Sequence, residues 1–229
     1  MQFVPNKPAL LLHDALVVAD LHIGLEQELH SKGVRLPSFT KQMLSDITWL
    51  IENSRAKKLF VLGDLKHRIA SLSQQEAKEI PLFLSALGEL ADLTIVLGNH
   101  DAGLKPLLKG IETHDSHGFL YRRNLLFHGH AKPIPDELSE AKQLIASHWH
   151  PVFKFRDPIG GRTVEKVWVE AHAFSKPLLI MPSFNRLLGG VTLDKVDEKW
   201  VDLKDAKITL LDGTYLGEFN VQTGNRDKD

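Results

Sequence analysis

Short apolar runs of strand length, rich in Val, Ile and Leu, recur along the first two-thirds of the chain: Ala15–Ala19, Lys58–Leu62, 93–97, 124–127 and Gln143–Ala146. Several lack alternation, as strands buried on both faces do. Between the first two lies 38–53, where Phe39, Met43, Ile47 and Ile51 recur every four residues and predict an amphipathic helix. Residues 73–90 open with Ser73-Gln74-Gln75-Glu76, a capping box, and carry Ile80, Phe83, Leu84 and Leu87 on one side. A second helix follows, with a kink expected at Pro81. Alternating strands and helices at this spacing predict right-handed crossovers and a largely parallel sheet in the first half. Further on, 162–170 interleaves Val164, Val167 and Val169 with Glu165 and Lys166, and 207–211 and 215–220 flank the turn Asp212-Gly213. These predict antiparallel strands and a terminal hairpin. With no linker and no repeat, the expectation is one domain over 1–229, two packed sheets with helices outside, and a frayed polar tail at about 222–229.

Composition narrows the chemistry. The 229 residues include 12 His and no Cys, which excludes disulfides, thiolate metal sites, iron–sulfur clusters and a cysteine nucleophile. Any metal must be held by His, Asp, Glu or Asn. A hydrophobic share of 43% against 25% charged excludes disordered and fibrous classes. The net charge of -1 argues against coating nucleic acid or an anionic membrane through bulk charge, while leaving a local basic groove open. Residues 1–12 lack the pattern of a signal peptide, and no apolar run approaches the roughly 20 residues of a membrane span. A cytoplasmic protein with no membrane partner is expected.

Polar residues mark where the chemistry lies. Each of the five apolar runs ends in groups able to bind metal: Asp20-Leu21-His22, Gly63-Asp64, Gly98-Asn99-His100-Asp101, His128-Gly129-His130 and His148-Trp149-His150. Singly, each has a plainer reading as a turn, a helix cap or a solvated pair. In an open α/β sheet the carboxyl ends of the strands line one crevice, so the five groups are expected to converge. They supply ligands suited to Mn, Fe or Zn.

The ordered series Asp-x-His, Gly-Asp, Gly-Asn-His-Asp, His-Gly and x-His-x-His resembles the five blocks of the calcineurin-like metallophosphoesterases. It spans Asp20 to Pro151. Asp20-Leu21-His22-Ile23-Gly24, Gly63-Asp64-Leu65-Lys66-His67, Ser147-His148-Trp149-His150-Pro151, and Met181-Pro182-Ser183-Phe184 with Gly189-Gly190 are similar to a small archaeal and bacterial branch. That branch includes phosphoesterases associated with DNA ligases in repair. Ser147 stands where the last block commonly has Gly, and the fourth block reads His-Gly-His, which adds His130.

The resemblance implies a four-layer αββα sandwich of two mixed sheets and two divalent ions, Mn first, with Fe or Zn as alternatives. By resemblance Asp20, His22, Asp64 and His150 hold one ion, and Asp64, Asn99, His128 and His148 hold the other. Asp64 is then the bridge. Ions about 3.5–4 Å apart can share a hydroxide and clamp phosphoryl oxygens, so water is the implied nucleophile. His100 is implied to stabilise the phosphoryl group or protonate the leaving oxygen, with Asp101 orienting it. His67 could reach the substrate phosphate or be an exposed loop histidine; His130 and Arg156 are further substrate-binding candidates. Arg35, Lys66, Arg68, Lys154 and Arg162 are basic rim candidates, and Asn185 and Arg186 could enter from the second sheet. His13, His30, His114, His117 and His172 occupy no motif position and are expected to be structural or exposed. The implied function is hydrolysis of phosphate esters, leaning to phosphodiesters or nucleic acid. A nucleotide or small-molecule monoesterase and a non-catalytic binding module are the alternatives.

Overall fold

A computed structural model describes residues 1–156, 159–196 and 199–219; the expected tail at 222–229 lies outside the described residues. The first sheet contains β1 (Gln2–Phe3), β2 (Ala9–Leu12), β3 (Ala15–Ala19), β4 (Lys58–Leu62), β5 (Asp92–Val96) and β6 (Glu112–His114), in that spatial order. Strands β3 to β6 pair in parallel, whereas β1 and β2 add an antiparallel edge. The crossovers carry α1 (Leu25–Ser31), α2 (Thr40–Ser54) and α3 (Gln74–Gly88). The unalternating runs now have a cause. Leu16, Val18, Leu59 and Val61 pack under α2 and α3, while Val17, Ala19, Phe60 and Leu62 pack against the second sheet. Both faces of β3 and β4 are buried, and each such aliphatic side chain contributes about 1.5–3 kcal/mol.

The second sheet comprises β7 (Phe119–Tyr121), β8 (Asn124–Leu126), β9 (Gln143–Ala146), β10 (Val152–Arg156), β11 (Arg162–Ala173), β12 (Lys176–Ile180), β13 (Val201–Leu210) and β14 (Tyr215–Phe219). Its order is β14-β13-β11-β12-β9-β8-β7, with β10 paired to the first half of β11. Among the described residues the β8–β9 and β9–β12 pairs are the parallel ones, so both sheets are mixed. The outer face is covered thinly, by α4 (Pro135–Glu140), β10 and a 3-10 turn at Leu193–Lys195. One expectation changes here: the runs at β8 and β9 leave the first sheet and lie in the second. The crevice therefore forms between strand ends of two sheets, and the inner core of Val17, Phe60, Ile145, Leu179 and Trp168 sets their spacing.

α3 runs through Pro81 as one helix and starts with the predicted capping box. The fully buried Glu76 does more than cap. One carboxylate oxygen accepts the backbone N–H of His67 at 2.9 Å and of Arg68 at 2.8 Å, and the other accepts that of Ser73 at 2.6 Å. Helix α3 thus anchors the loop that follows β4. Glu76→Ala should leave those donors unpaired and lower stability by about 3 kcal/mol, against about 1 kcal/mol for Ser73→Ala. Urea unfolding midpoints of the two variants measure the difference.

Candidate metal centre

The strand ends do not simply run into turns. Asp20, His22, Asp64, His148 and His150 all have φ between 42° and 72°, the left-handed region that non-glycine residues rarely occupy. Such backbone persists only where its surroundings hold it, and it turns consecutive side chains of one loop into the same space. Glycines clear that space: a Cβ on Gly63 would overlap the His128 ring, and one on Gly98 would overlap Asp64.

Two ligand clusters that include carboxylates result, each with its donor atoms within 4.8 Å of one another: Asp20, His22, Asp64 and His150, and Asp64, His128 and His148; His22, His67 and His100 form a third group, of imidazoles alone. The two carboxylate clusters share Asp64. His128 Nε2 lies 3.1 Å from Asp20 Oδ1 and 3.6 Å from Asp64 Oδ2. His22 Nε2 is 3.4 Å from Asp64 Oδ2, and His150 Nε2 is 3.4 Å from Asp20 Oδ2. Both of those nitrogens are buried, and neither has a hydrogen-bond partner among the described residues. Orphaned imidazole lone pairs aimed between buried carboxylates are what a divalent cation would satisfy, so the residues present fit one.

The electrostatics agree. Burial raises the Asp64 carboxyl, and the nearby Asp20 charge adds to this, outweighing His128. Burial works against the charge on Asp20 as well, but His150 and His128 hold it far below the usual carboxylate range. Burial drives the His22 ring well below its ordinary value and, with His128, pushes His148 down to about 3. Both are neutral at physiological pH and can offer a lone pair. His128 goes the other way: burial opposes its charge, and Asp20, Asp64 and Asp101 prevail.

A family model described as calcineurin-like phosphoesterase matches residues 14–175, spanning both clusters. The chain belongs to the calcineurin-like phosphoesterase family. It is a phosphoric ester hydrolase, and the family implies divalent metal ions. No curated protein matches the sequence. Among solved structures the chain is similar to the nuclease MPE of Pseudomonas putida, with 20% identity and a TM-score of 0.60 over 92% of this chain and 98% of that one. It also matches YfcE, a phosphoesterase from E. coli, with 15% identity and a TM-score of 0.43 over 90% and 98% of the two chains. At such identity the first likeness shows a shared fold.

The remaining candidates of this phosphoesterase fall in different places. Asn99 is exposed on the loop after β5 and, with Asp101, Lys105 and His130, lines a cavity of about 360 Å³. His100 turns its Nε2 toward Asp64 Oδ2, 3.9 Å away, and its Nδ1 meets the His67 carbonyl. The expectation that Asp101 orients this ring is corrected. Its carboxyl points inward, accepting the Lys66 N–H at 3.1 Å and the Gly98 N–H at 2.8 Å, because those two loop donors would otherwise be buried unpaired. Burial raises that carboxyl to about 6. His67 sits 3.2 Å from His22, ring nitrogen to ring nitrogen, and His130 lies likewise 2.7 Å from His128. Burial and the His128 charge push His130 down to about 4. Arg156 ends β10 and lines a separate groove of about 640 Å³ with Lys154 and Lys195, and no member of the two clusters lines it.

Residues outside the five motifs support the centre. Asn185, fully buried, donates from Nδ2 to the Leu21 carbonyl at 2.8 Å, while Phe184 N–H donates to Ala19 O at 2.7 Å. Lys166 holds that segment by donating to Ser183 O at 2.7 Å and Asn185 O at 2.5 Å. Burial lowers its ammonium to about 7. The available signal was a lysine between Val164 and Val167 on a strand pattern. Ser147, in the place of the usual Gly, ties β4 to β9 by donating to Leu62 O at 3.0 Å.

The lowered His148 pKa has a signed consequence for the metal-free protein. Its folded value of about 3 lies below the ordinary 6.5, so the unfolded chain takes up the proton first as pH falls. The His148 contribution is intact above pH 6.5 and shrinks by about 2 kcal/mol between pH 6.5 and pH 5. Urea midpoints of wild type and His148→Asn without metal should therefore converge, or cross, in favour of the variant as pH falls. Parallel losses would show that His148 is protonated in the folded state.

Proposed function

We propose that this phosphoesterase hydrolyses phosphodiesters, with nucleic acid as the preferred class, using two divalent ions. Manganese is the ion of first choice. Asp20, His22, Asp64 and His150 would hold one ion, and Asp64, Asn99, His128 and His148 the other. The observation that carries this reading is the pair of clusters joined at Asp64, with the orphaned nitrogens of His22 and His150 facing inward. Bound there, the ions would supply Lewis acidity and a nucleophilic water at neutral pH.

The chain's own groups divide the remaining work. The Asp64 carboxylate, buried and fixed by the His100 N–H at 2.9 Å, sets the position of the centre. His100, with its Nδ1 committed to a carbonyl, presents Nε2 to the reacting phosphoryl group. As an imidazolium it can give that proton to the departing oxygen. The centre opens to solvent along the side of His100, His150 and the exposed Asn99, while Asp20, Asp64 and His128 lie buried beneath. An open mouth supports a chain-like substrate over a small closed-in monoester. The likeness to the Pseudomonas putida nuclease MPE supports the same reading.

The test is turnover by the manganese-loaded protein on bis-p-nitrophenyl phosphate, p-nitrophenyl phosphate, and single- and double-stranded DNA. Diester and DNA turnover well above monoester turnover is expected. Monoester preference would favour the phosphatase alternative, and no turnover on any of them the binding module. Asp64→Ala should abolish activity and lower bound metal. His100→Ala should keep its metal and lose about 10²–10⁴-fold in rate.

A further inference from the structure

His67 and Glu28 acquire a role from the hydrogen-bond order they impose. His22 Nε2 is the orphaned nitrogen beside Asp64, so a ligand role requires its lone pair there. A neutral imidazole carries one proton, which must then sit on Nδ1. That atom is 3.2 Å from His67 Nδ1, which must accept it. The His67 proton is thereby placed on Nε2, 2.7 Å from Glu28 Oε2. Every donor in this order meets an acceptor. The reverse tautomers would put a proton on His22 Nε2, blocking coordination, and would set the His67 Nε2 lone pair against a carboxylate.

We infer that Glu28 and His67 are positioning residues for His22: the carboxylate fixes the His67 tautomer, which fixes the tautomer and ring orientation of the metal ligand. This rests on the metal reading above. Such outer partners typically tune metal affinity by 10–100-fold. Both ring nitrogens of His67 are occupied, so it has no donor left for a substrate phosphate. The contrast is His130. It meets His128 Nδ1 in the same head-to-head way, but no carboxylate is bonded to its far nitrogen among the described residues, and it lines the cavity beside Asn99.

Glu28 is half exposed on α1 and also pairs with Lys32 at 2.5 Å, so replacing it threatens the fold little. The experiment titrates manganese into metal-free wild type, Glu28→Ala, Glu28→Gln and the control Lys32→Ala, with thermal melts of each. For both Glu28 variants, affinity for one of two ions should fall about tenfold and kcat should drop. KM for bis-p-nitrophenyl phosphate should stay unchanged, and Lys32→Ala should match wild type. In the zinc-loaded wild type, imidazole ¹⁵N shifts should show His22 protonated on Nδ1 and His67 on Nε2. Unchanged manganese affinities in the Glu28 variants, an increase confined to KM, or His67 protonated on Nδ1 would overturn the inference while leaving the metal reading standing. A wild type that binds no manganese would overturn both.

Discussion

Everything in this structure answers to the burial of Asp20 and Asp64 at one point. Two carboxylates removed from water beside each other are costly unless positive charge or donors meet them. Protein donors meet part of the demand, namely His128 Nε2 and the His148 and His100 N–H groups; among the described residues no lysine or arginine side chain lies within ion-pair distance. The rest of the demand is unmet, because the neighbouring His22 and His150 Nε2 atoms make no hydrogen bond among the described residues. Neutral histidines around charged carboxylates form a poor structural core and a good cation site.

Holding that arrangement requires backbone in a disfavoured region at five of its residues, at a cost of order 1–3 kcal/mol each. The surrounding contacts offset this. Asn185 reaches from the second sheet to the carbonyls of Leu21 and His22, Lys166 fastens the Asn185 segment, and Glu76 and Asp101 take up the N–H groups of the loops after β4 and β5. These braces are charged or amide groups, buried except for the half-buried Lys166, and each makes two or more hydrogen bonds. They tie the loops of the site to the second sheet and to α3.

The elements were legible where local forces decide them. The Ser73–Glu76 box and the stripe of Ile80, Phe83, Leu84 and Leu87 gave α3, and the apolar runs gave β3, β4, β5, β8 and β9 to within a residue or so. What local pattern does not contain is the partner of each strand. β8 reads like β4, yet one pairs in the second sheet and the other in the first. The short antiparallel edge of β1 and β2 and the thin cover of the outer face were equally invisible, because both follow from which surfaces remain open after the sheets have packed.

The amino-acid sequence by itself determined the inventory of the centre: imidazole, carboxylate and amide at five strand ends, with no thiolate to compete. It also determined the order of those groups along the chain, which carries the family likeness. Tertiary structure alone decided how each group is used. Asp101 turns away from the neighbouring His100 ring to serve two loop N–H groups, and His67 turns toward a ring 45 positions earlier in the chain. A hydrogen bond needs an acceptor at about 3 Å, and sequence distance says nothing about which acceptor that will be.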